Sequence, residues 1–105
     1  MAQVIWTEPA LIDLEEIAEY IALDKPSAAS ALVKSVFSTV DRLEQFPKSG
    51  RKPPELTKSR YREIIVEPCR IFYREEQKIV YILYVMRSER MLRKYLLETR
   101  EIENS

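Results

Sequence analysis

The sequence predicts one α+β domain, residues 1–105, in which an N-terminal strand and a helical hairpin pack on an antiparallel β-sheet meander, with a helix at the C-terminus. Two patterns favour this class. Apolar residues in the first half of the chain recur at helical spacing, and the second half holds three β-branched and aromatic runs of strand length. With 105 residues, 46% of them hydrophobic, the chain has enough apolar material for one core.

The first predicted elements are a strand and two helices. Residues 3–7 are rich in β-forming residues and predict a short strand, with Thr7 as the N-cap of the helix that follows. Apolar residues then repeat at helical spacing in two series, from Ala10 to Ile21 and from Ala28 to Phe46. Because the break between them, residues 24–27, is short and contains a proline, the two helices should fold back as an antiparallel hairpin.

The second half begins with a loop and continues with strands. Residues 47–59 combine prolines with lysines and arginines, which predicts a basic, extended loop. Three strand-like runs follow at residues 61–66, 69–73 and 79–86, and their short links predict an antiparallel meander. The third run is apolar on both alternating faces, so we expect it to be central and covered on both sides.

A C-terminal helix is predicted to cover the second face of the sheet. The apolar residues with helical spacing in this segment are Met91, Leu92, Tyr95 and Leu96. The charged residues Arg90, Arg93 and Lys94 would then point away from the sheet. Residues 101–105 are expected to form a frayed acidic tail.

Composition excludes several kinds of site. The chain has no histidine and a single cysteine, Cys69, so it cannot assemble a usual zinc site or a Ser-His or Cys-His nucleophile pair. Gly50 is the single glycine and cannot form a phosphate-binding loop by itself. We therefore expect no metal and no cofactor, and we expect Cys69 to be a small core residue. The start of the chain lacks a secretion signal and there is no long apolar run, so we expect a cytoplasmic location and no membrane partner.

The zero net charge hides a polarity along the chain. Residues 1–46 hold three basic and eight acidic side chains, whereas residues 47–105 hold fourteen basic and nine acidic ones. A cluster of this kind indicates either a surface for an acidic partner, protein or nucleic acid, or a solvated face without a partner.

An ordered set of short motifs covers nearly the whole chain. They are Ile5-Trp6-Thr7-x-Pro9-Ala10-x-x-Asp13-Leu14, Leu43-x-x-Phe46-Pro47-x-x-Gly50, Tyr61-Arg62-Glu63-Ile64-x-Val66, Arg70-Ile71-Phe72-Tyr73 and Ile82-x-x-Val85. This set closely resembles the RelE/ParE family of toxins from bacterial toxin-antitoxin modules. The resemblance implies a small cytoplasmic toxin that is held inactive by an antitoxin whose C-terminal segment wraps it.

The resemblance implies one of two activities. RelE-like members cut messenger RNA on the ribosome with Arg, Lys and Tyr side chains, whereas ParE-like members inhibit DNA gyrase and need no nuclease residues. The neutral charge, the sequence pI of 6.4 and the long helical pair favour the ParE type. We expect a toxin without catalytic residues, with a cognate antitoxin and DNA gyrase as partners. The alternative is a ribosome-dependent mRNA endoribonuclease, with the ribosome and mRNA as partners. A third hypothesis is a domain that binds only its antitoxin.

The candidate residues differ between these readings. For the nuclease alternative they are Arg62, Arg70, Tyr73 and Arg87. Arginines would stabilise the charge of a pentavalent phosphate and the tyrosine would donate a proton, although cross-strand ion pairs with neighbouring glutamates are the competing interpretation. For partner binding the candidates are Leu14, Ile17, Leu32 and Val36 on the hairpin and Arg90, Arg93 and Lys94 at the C-terminus.

Overall fold

A computed structural model describes residues 1–103 and contains one sheet of four strands in the order β1-β4-β3-β2. The strands are β1 (Gln3–Trp6), β2 (Tyr61–Val66), β3 (Cys69–Glu76) and β4 (Ile79–Arg87). The last three form the predicted antiparallel meander, and β1 joins its edge parallel to β4. The predicted central position of β4 is confirmed, because it has a hydrogen-bonded neighbour on each side.

The predicted hairpin is present as α1 (Glu8–Ala22) and α2 (Pro26–Asp41). Thr7 caps α1 as predicted, since its hydroxyl accepts from the backbone N–H of Ala10 and donates to the carbonyl of Ile82. The second helix ends before the apolar series does, because the chain tightens into a 3₁₀ turn at Arg42–Glu44 that leaves Phe46 exposed.

The hairpin and one face of the sheet enclose the larger core. Buried side chains from the two helices pack there against strand residues that include Ile71 and Val80. Leu14, Leu32 and Val36 belong to this core and are almost fully buried. Their prediction as partner-binding residues is therefore wrong, because the apolar face of the hairpin is used to cover the sheet.

The second face of the sheet is covered by α3 (Lys94–Glu103) and the segment before it. Leu92 and Leu97 are the buried anchors, whereas Met91 and Tyr95 are 64% and 63% exposed. The predicted apolar stripe is thus wrong in part, because the helix begins only at Lys94 and Met91 and Leu92 precede it.

The predicted frayed tail also needs correction. Residues 101–103 belong to α3, and the carboxylate of Glu101 forms ion pairs with Arg60 and Arg74, each at 2.6 Å. The rest of that predicted tail, residues 104 and 105, lies outside the described residues. Within residues 1–103 there is no helix long and apolar enough to cross a membrane.

Candidate functional site

The four residues of the nuclease alternative are divided between the two faces of the sheet. The β2–β3 register places Arg62 opposite Tyr73, and the β3–β4 register places Arg87 opposite Cys69. Tyr73 and Cys69 both lie in the core under the hairpin. Arg70 follows Cys69 directly and therefore lies on the face that α3 covers. The structure does not bring Arg70 and Tyr73 together.

Tyr73 is fully buried and its hydroxyl has two backbone partners. The hydroxyl donates to the carbonyl of Pro47 at 2.8 Å and accepts from the N–H of Gly50 at 2.9 Å. Burial raises the pKa of this phenol above its usual value, so the group stays protonated near neutral pH. The two hydrogen bonds of this hydroxyl hold the segment from Pro47 to Gly50 against the sheet.

Arg70 is buried between two carboxylates. Its Nε donates to Glu63 at 2.7 Å, and its two terminal nitrogens donate to the carboxylate of Glu55 at 2.8 and 2.9 Å. One of those nitrogens also donates to the carbonyl of Arg90 at 3.1 Å. The hydrogen bonds from Arg70 lower the pKa of Glu55 to about 2, so this ion pair persists through the physiological range. The competing interpretation of an ion-paired arginine is confirmed for Arg70 and Glu63.

The other two candidates lie nearer the surface. Arg62 donates to the carbonyl of Gly50 at 2.9 Å. Arg87 forms an ion pair with Glu89 at 2.8 Å, and the two side chains are 36% and 64% accessible. Neither residue lies in a closed site that would exclude water from a reacting phosphate.

The polar residues of the sheet converge instead on the loop that precedes it, which we call the basic loop (residues 47–60). Arg51 and Glu63 exchange both backbone hydrogen bonds, at 2.8 and 3.0 Å, so the loop adds a one-residue bridge to the edge of β2. The side chain of Arg51 also binds Glu63, at 2.8 Å. Glu55 holds the middle of the loop to Arg70, and Lys52 closes it by donating to the carbonyl of Ser59 at 2.6 Å. We call Glu63, Arg70 and Tyr73 the framework residues, because each fixes a different part of this loop.

The local sequence pattern does not predict this framework. It predicts an extended loop, and it marks the strand residues as candidates for chemistry or for pairing within the sheet. A usable signal was present, since charged residues interrupt strands that are otherwise apolar and Glu55 is the single acidic residue of a loop rich in lysine and arginine.

The predicted partner-binding residues at the C-terminus are on the surface. Arg90, Arg93 and Lys94 are exposed, and so are Met91 and Tyr95 beside them. We call these five residues the C-terminal patch. Its arginines, methionine and tyrosine are residue types that are enriched at protein interfaces.

The fourth predicted hairpin residue, Ile17, is half-buried and lines a shallow groove between α1 and the end of β4. Glu16 and Tyr20 of α1 form one wall, and Arg87 and Arg90 form the other. The groove therefore has an acidic wall and a basic wall with aromatic and aliphatic side chains between them.

Cys69 is fully buried, and burial raises the pKa of its thiol to about 11, so it is the core residue that the sequence predicted. Across residues 1–103 no three histidine, cysteine, aspartate or glutamate side chains are grouped so that they would hold a metal ion.

The sequence is similar to a toxin family and to two individual toxins. The family model described as "ParE toxin of type II toxin-antitoxin system, parDE" matches residues 4–92. Toxin RelE2 of Caulobacter vibrioides is 33% identical over 92 residues, which are 87% of this chain and all of that protein. Putative toxin Y4kP of Sinorhizobium fredii is 43% identical over 49 residues, which are 47% of this chain and 51% of that protein.

A solved structure shows the same architecture. The chain is similar to one in the chromosomal ParDE toxin-antitoxin system from P. aeruginosa, with a TM-score of 0.70 and 28% identity. The match covers 85% of this chain and 98% of the other. Since the family model spans most of the sequence and the RelE2 match spans that protein completely, the chain belongs to the ParE family of toxins of type II toxin-antitoxin systems.

Proposed function

We propose that this toxin acts by binding DNA gyrase and inhibiting it, and that it cuts no RNA. As a toxin of a type II module it has a cognate antitoxin as its partner. A cytoplasmic location is part of the proposal, because gyrase acts on the DNA there.

The observation that carries the proposal is that the side chains of Arg70 and Tyr73 are buried and already hydrogen-bonded within the protein. A nuclease without histidine depends on arginine for charge stabilisation and on tyrosine for proton transfer. Arg70 is bound by two carboxylates and Tyr73 is bound by two backbone groups, and they lie on opposite faces of the sheet. Freeing either group would leave buried partners without hydrogen bonds, which costs about 1–3 kcal/mol for each group.

The C-terminal patch supports a binding mechanism. Arginine, methionine and tyrosine are enriched at protein interfaces and frequently dominate their binding energy. The backbone of the patch is fixed at two points near its start, since the carbonyl of Arg90 accepts from Arg70 and the N–H of Leu92 donates to Glu55 at 3.0 Å. A backbone held in this way needs little further ordering when the surface binds.

For the antitoxin we propose the exposed face of α1 and the groove beside it. Tyr20 and Leu23 are 69% and 85% exposed, and Leu11 and Ile12 are also accessible. We propose this face as the antitoxin-binding surface in place of the predicted residues Leu14, Leu32 and Val36, which are buried. The helix carries four glutamates and no basic residue, so the segment that binds it should combine apolar anchors with lysine or arginine.

The gyrase proposal is tested by expressing the chain in bacteria and following plasmid supercoiling and transcript integrity in parallel. We expect negative supercoiling to fall before any transcript is shortened. Site-specific cleavage of mRNA with normal supercoiling would contradict the proposal and favour the ribosome-dependent nuclease.

The antitoxin surface is tested with the purified toxin–antitoxin complex. Amide exchange in α1 should slow when the antitoxin is bound, and Tyr20→Lys should weaken the complex, because it places a cation against a basic segment. Ser35→Lys on the exposed side of α2 is the matched control and should bind as the unmodified toxin does. Unchanged exchange in α1 would place the antitoxin elsewhere.

A further inference from the structure

The basic loop and Arg62 form a surface whose charge is not neutralised by neighbouring carboxylates. Residues 47–62 contain six basic side chains and one acidic side chain, Glu55. Glu55 forms an ion pair with Arg70, and Glu63 in β2 forms ion pairs with Arg70 and Arg51. Four cations have no carboxylate partner among residues 1–101, the range whose side chains the structure describes. They are Lys48, Lys52, Lys58 and Arg62.

These cations are carried by a segment of fixed shape. The two carbonyl bonds made by Lys52 and Arg62 and the backbone bridge at Arg51 tie the basic loop to itself and to β2. The framework residues hold it from inside the sheet. A loop on a rigid scaffold presents its side chains in a defined arrangement, which is a usual property of binding loops.

The most acidic helix, α1, lies away from the basic loop, whereas α2 packs nearer to it and contacts β2. In the order β1-β4-β3-β2, α1 packs over β4 and the basic loop lies beyond β2. Strands are spaced by about 4.8 Å, so the two charged regions are separated by roughly the Debye length at 0.1 M salt. A neutral molecule can thus present one strongly basic edge.

The chemistry of this edge selects its ligand. Between residues 47 and 62 no large hydrophobic side chain is exposed, and the aromatic residue of that range, Tyr61, is buried, whereas Phe46, immediately before the loop, is 61% exposed. A protein segment would need several apolar anchors, and single-stranded nucleic acid would need a series of aromatic side chains for stacking. A set of lysines and arginines with one flanking aromatic side chain suits the phosphate backbone of a duplex.

We infer that the basic loop with Arg62 is a preorganised surface that binds the phosphate backbone of duplex DNA. The choice of DNA over duplex RNA rests on the proposed function, because gyrase holds duplex DNA. A toxin bound to gyrase through its C-terminal patch would then have a second contact, with the DNA on the enzyme.

The test is fluorescence anisotropy of a short labelled DNA duplex with the full chain, repeated over about 0.05 to 0.2 M KCl. Four phosphate contacts predict a log–log salt slope of about −3 to −4. Lys48→Gln with Lys58→Gln should make the slope shallower by about 2. Lys25→Gln with Lys34→Gln, an equal charge change at exposed hairpin positions, is the control and should leave the slope unchanged.

A second variant separates shape from charge. Tyr73→Phe keeps every charge but removes the bonds to Pro47 and Gly50, and it should weaken binding roughly threefold to tenfold by loosening the loop. Circular dichroism shows whether this variant is folded, and the lysine pair tests the surface even if it is not. Unaltered affinity in folded Tyr73→Phe would overturn the role of the framework.

The same assay compares duplex DNA with competing ligands. Tighter binding of single-stranded RNA, of duplex RNA or of an acidic peptide than of duplex DNA would overturn the inference, as would equal slopes for the two lysine pairs. The assay contains no gyrase, so its failure leaves the proposed function standing. DNA binding by a chain that does not inhibit gyrase would refute the proposed function alone.

Discussion

The guanidinium of Arg100 in α3 forms two hydrogen bonds with the carboxylate of Asp13 in α1, at 3.0 and 3.1 Å. The pair is placed where β4 carries an extra residue: Arg100 also donates to the carbonyl of Leu83, and Asp13 accepts from the N–H of Val85. β1 ends before this point, so α1 satisfies the edge of β4 in its place. The C-terminal helix is thereby fixed to the hairpin.

A double-mutant cycle with Asp13→Ala and Arg100→Ala measures this connection. The two side chains are each 16% accessible, so solvent screens the pair incompletely. We expect a coupling energy of about 1–2 kcal/mol in urea unfolding, and faster amide exchange in α3 for each single variant. The accessible pair Arg87–Glu89 is the control and should give no measurable coupling. Equal coupling in the two cycles would refute the role given to Asp13.

Gly50→Ala tests how closely the basic loop packs on the framework. A Cβ atom at this position would lie 2.6 Å from two atoms of the Tyr73 ring and hydroxyl and 2.8 Å from the carbonyl oxygen of Glu63. Because Tyr73 is fully buried, we expect the free energy of unfolding to fall by about 1–3 kcal/mol. Ser49→Ala, one residue earlier and exposed, should stay within about 0.5 kcal/mol. A neutral Gly50→Ala would mean that the loop moves away from the sheet without cost.

The Glu55–Arg70 pair predicts loss of stability in acid. The pKa of Glu55 is lowered from 4.5 to about 2, so its stabilising contribution is complete above pH 4.5 and is lost as the pH falls toward 2. Because Glu55 is partly accessible, we expect this contribution to be about 1 kcal/mol. Urea unfolding between pH 7 and pH 2 measures it.

Glu55→Gln removes this dependence and should flatten the acid part of the stability curve. Glu15→Gln, at an exposed position of α1, is the matched control and should keep it. A curve for Glu55→Gln that falls as steeply as that of the unmodified chain would contradict the assignment.

Reversal of the cations of the C-terminal patch tests target recognition. The triple variant Arg90→Glu, Arg93→Glu, Lys94→Glu should abolish toxicity and keep the fold, because each exposed change costs about 0.5 kcal/mol or less. Growth after induction measures toxicity, and circular dichroism measures the fold. Lys25→Glu, Lys34→Glu, Arg42→Glu changes the charge equally at exposed positions of the hairpin and of the turn after it, and should remain toxic. Full toxicity of the first variant would exclude the patch as the recognition surface.

Local patterns were sufficient to predict most of the fold. Thr7 marks the start of α1 through its own chemistry, and the apolar residues on both faces of β4 predict its central position. Pro26, which the pattern places in the break between the helices, is instead the first residue of α2, where its missing N–H costs nothing. The framework depends on contacts between distant positions, such as Tyr73 with Gly50 and Arg70 with Glu55, and no local period encodes which loop atoms meet which strand. For the same reason the helical pattern does not decide whether Leu14, Leu32 and Val36 face a partner or the sheet, because an apolar helix face suits either.

The most direct test of the central claim is supercoiling of relaxed plasmid by purified gyrase in the presence of the purified chain. We predict that supercoiling falls with increasing toxin and that the cognate antitoxin or the Arg90, Arg93 and Lys94 reversal restores it. Unchanged supercoiling at an excess of toxin, together with cleavage of ribosome-bound mRNA by the same preparation, would contradict the account.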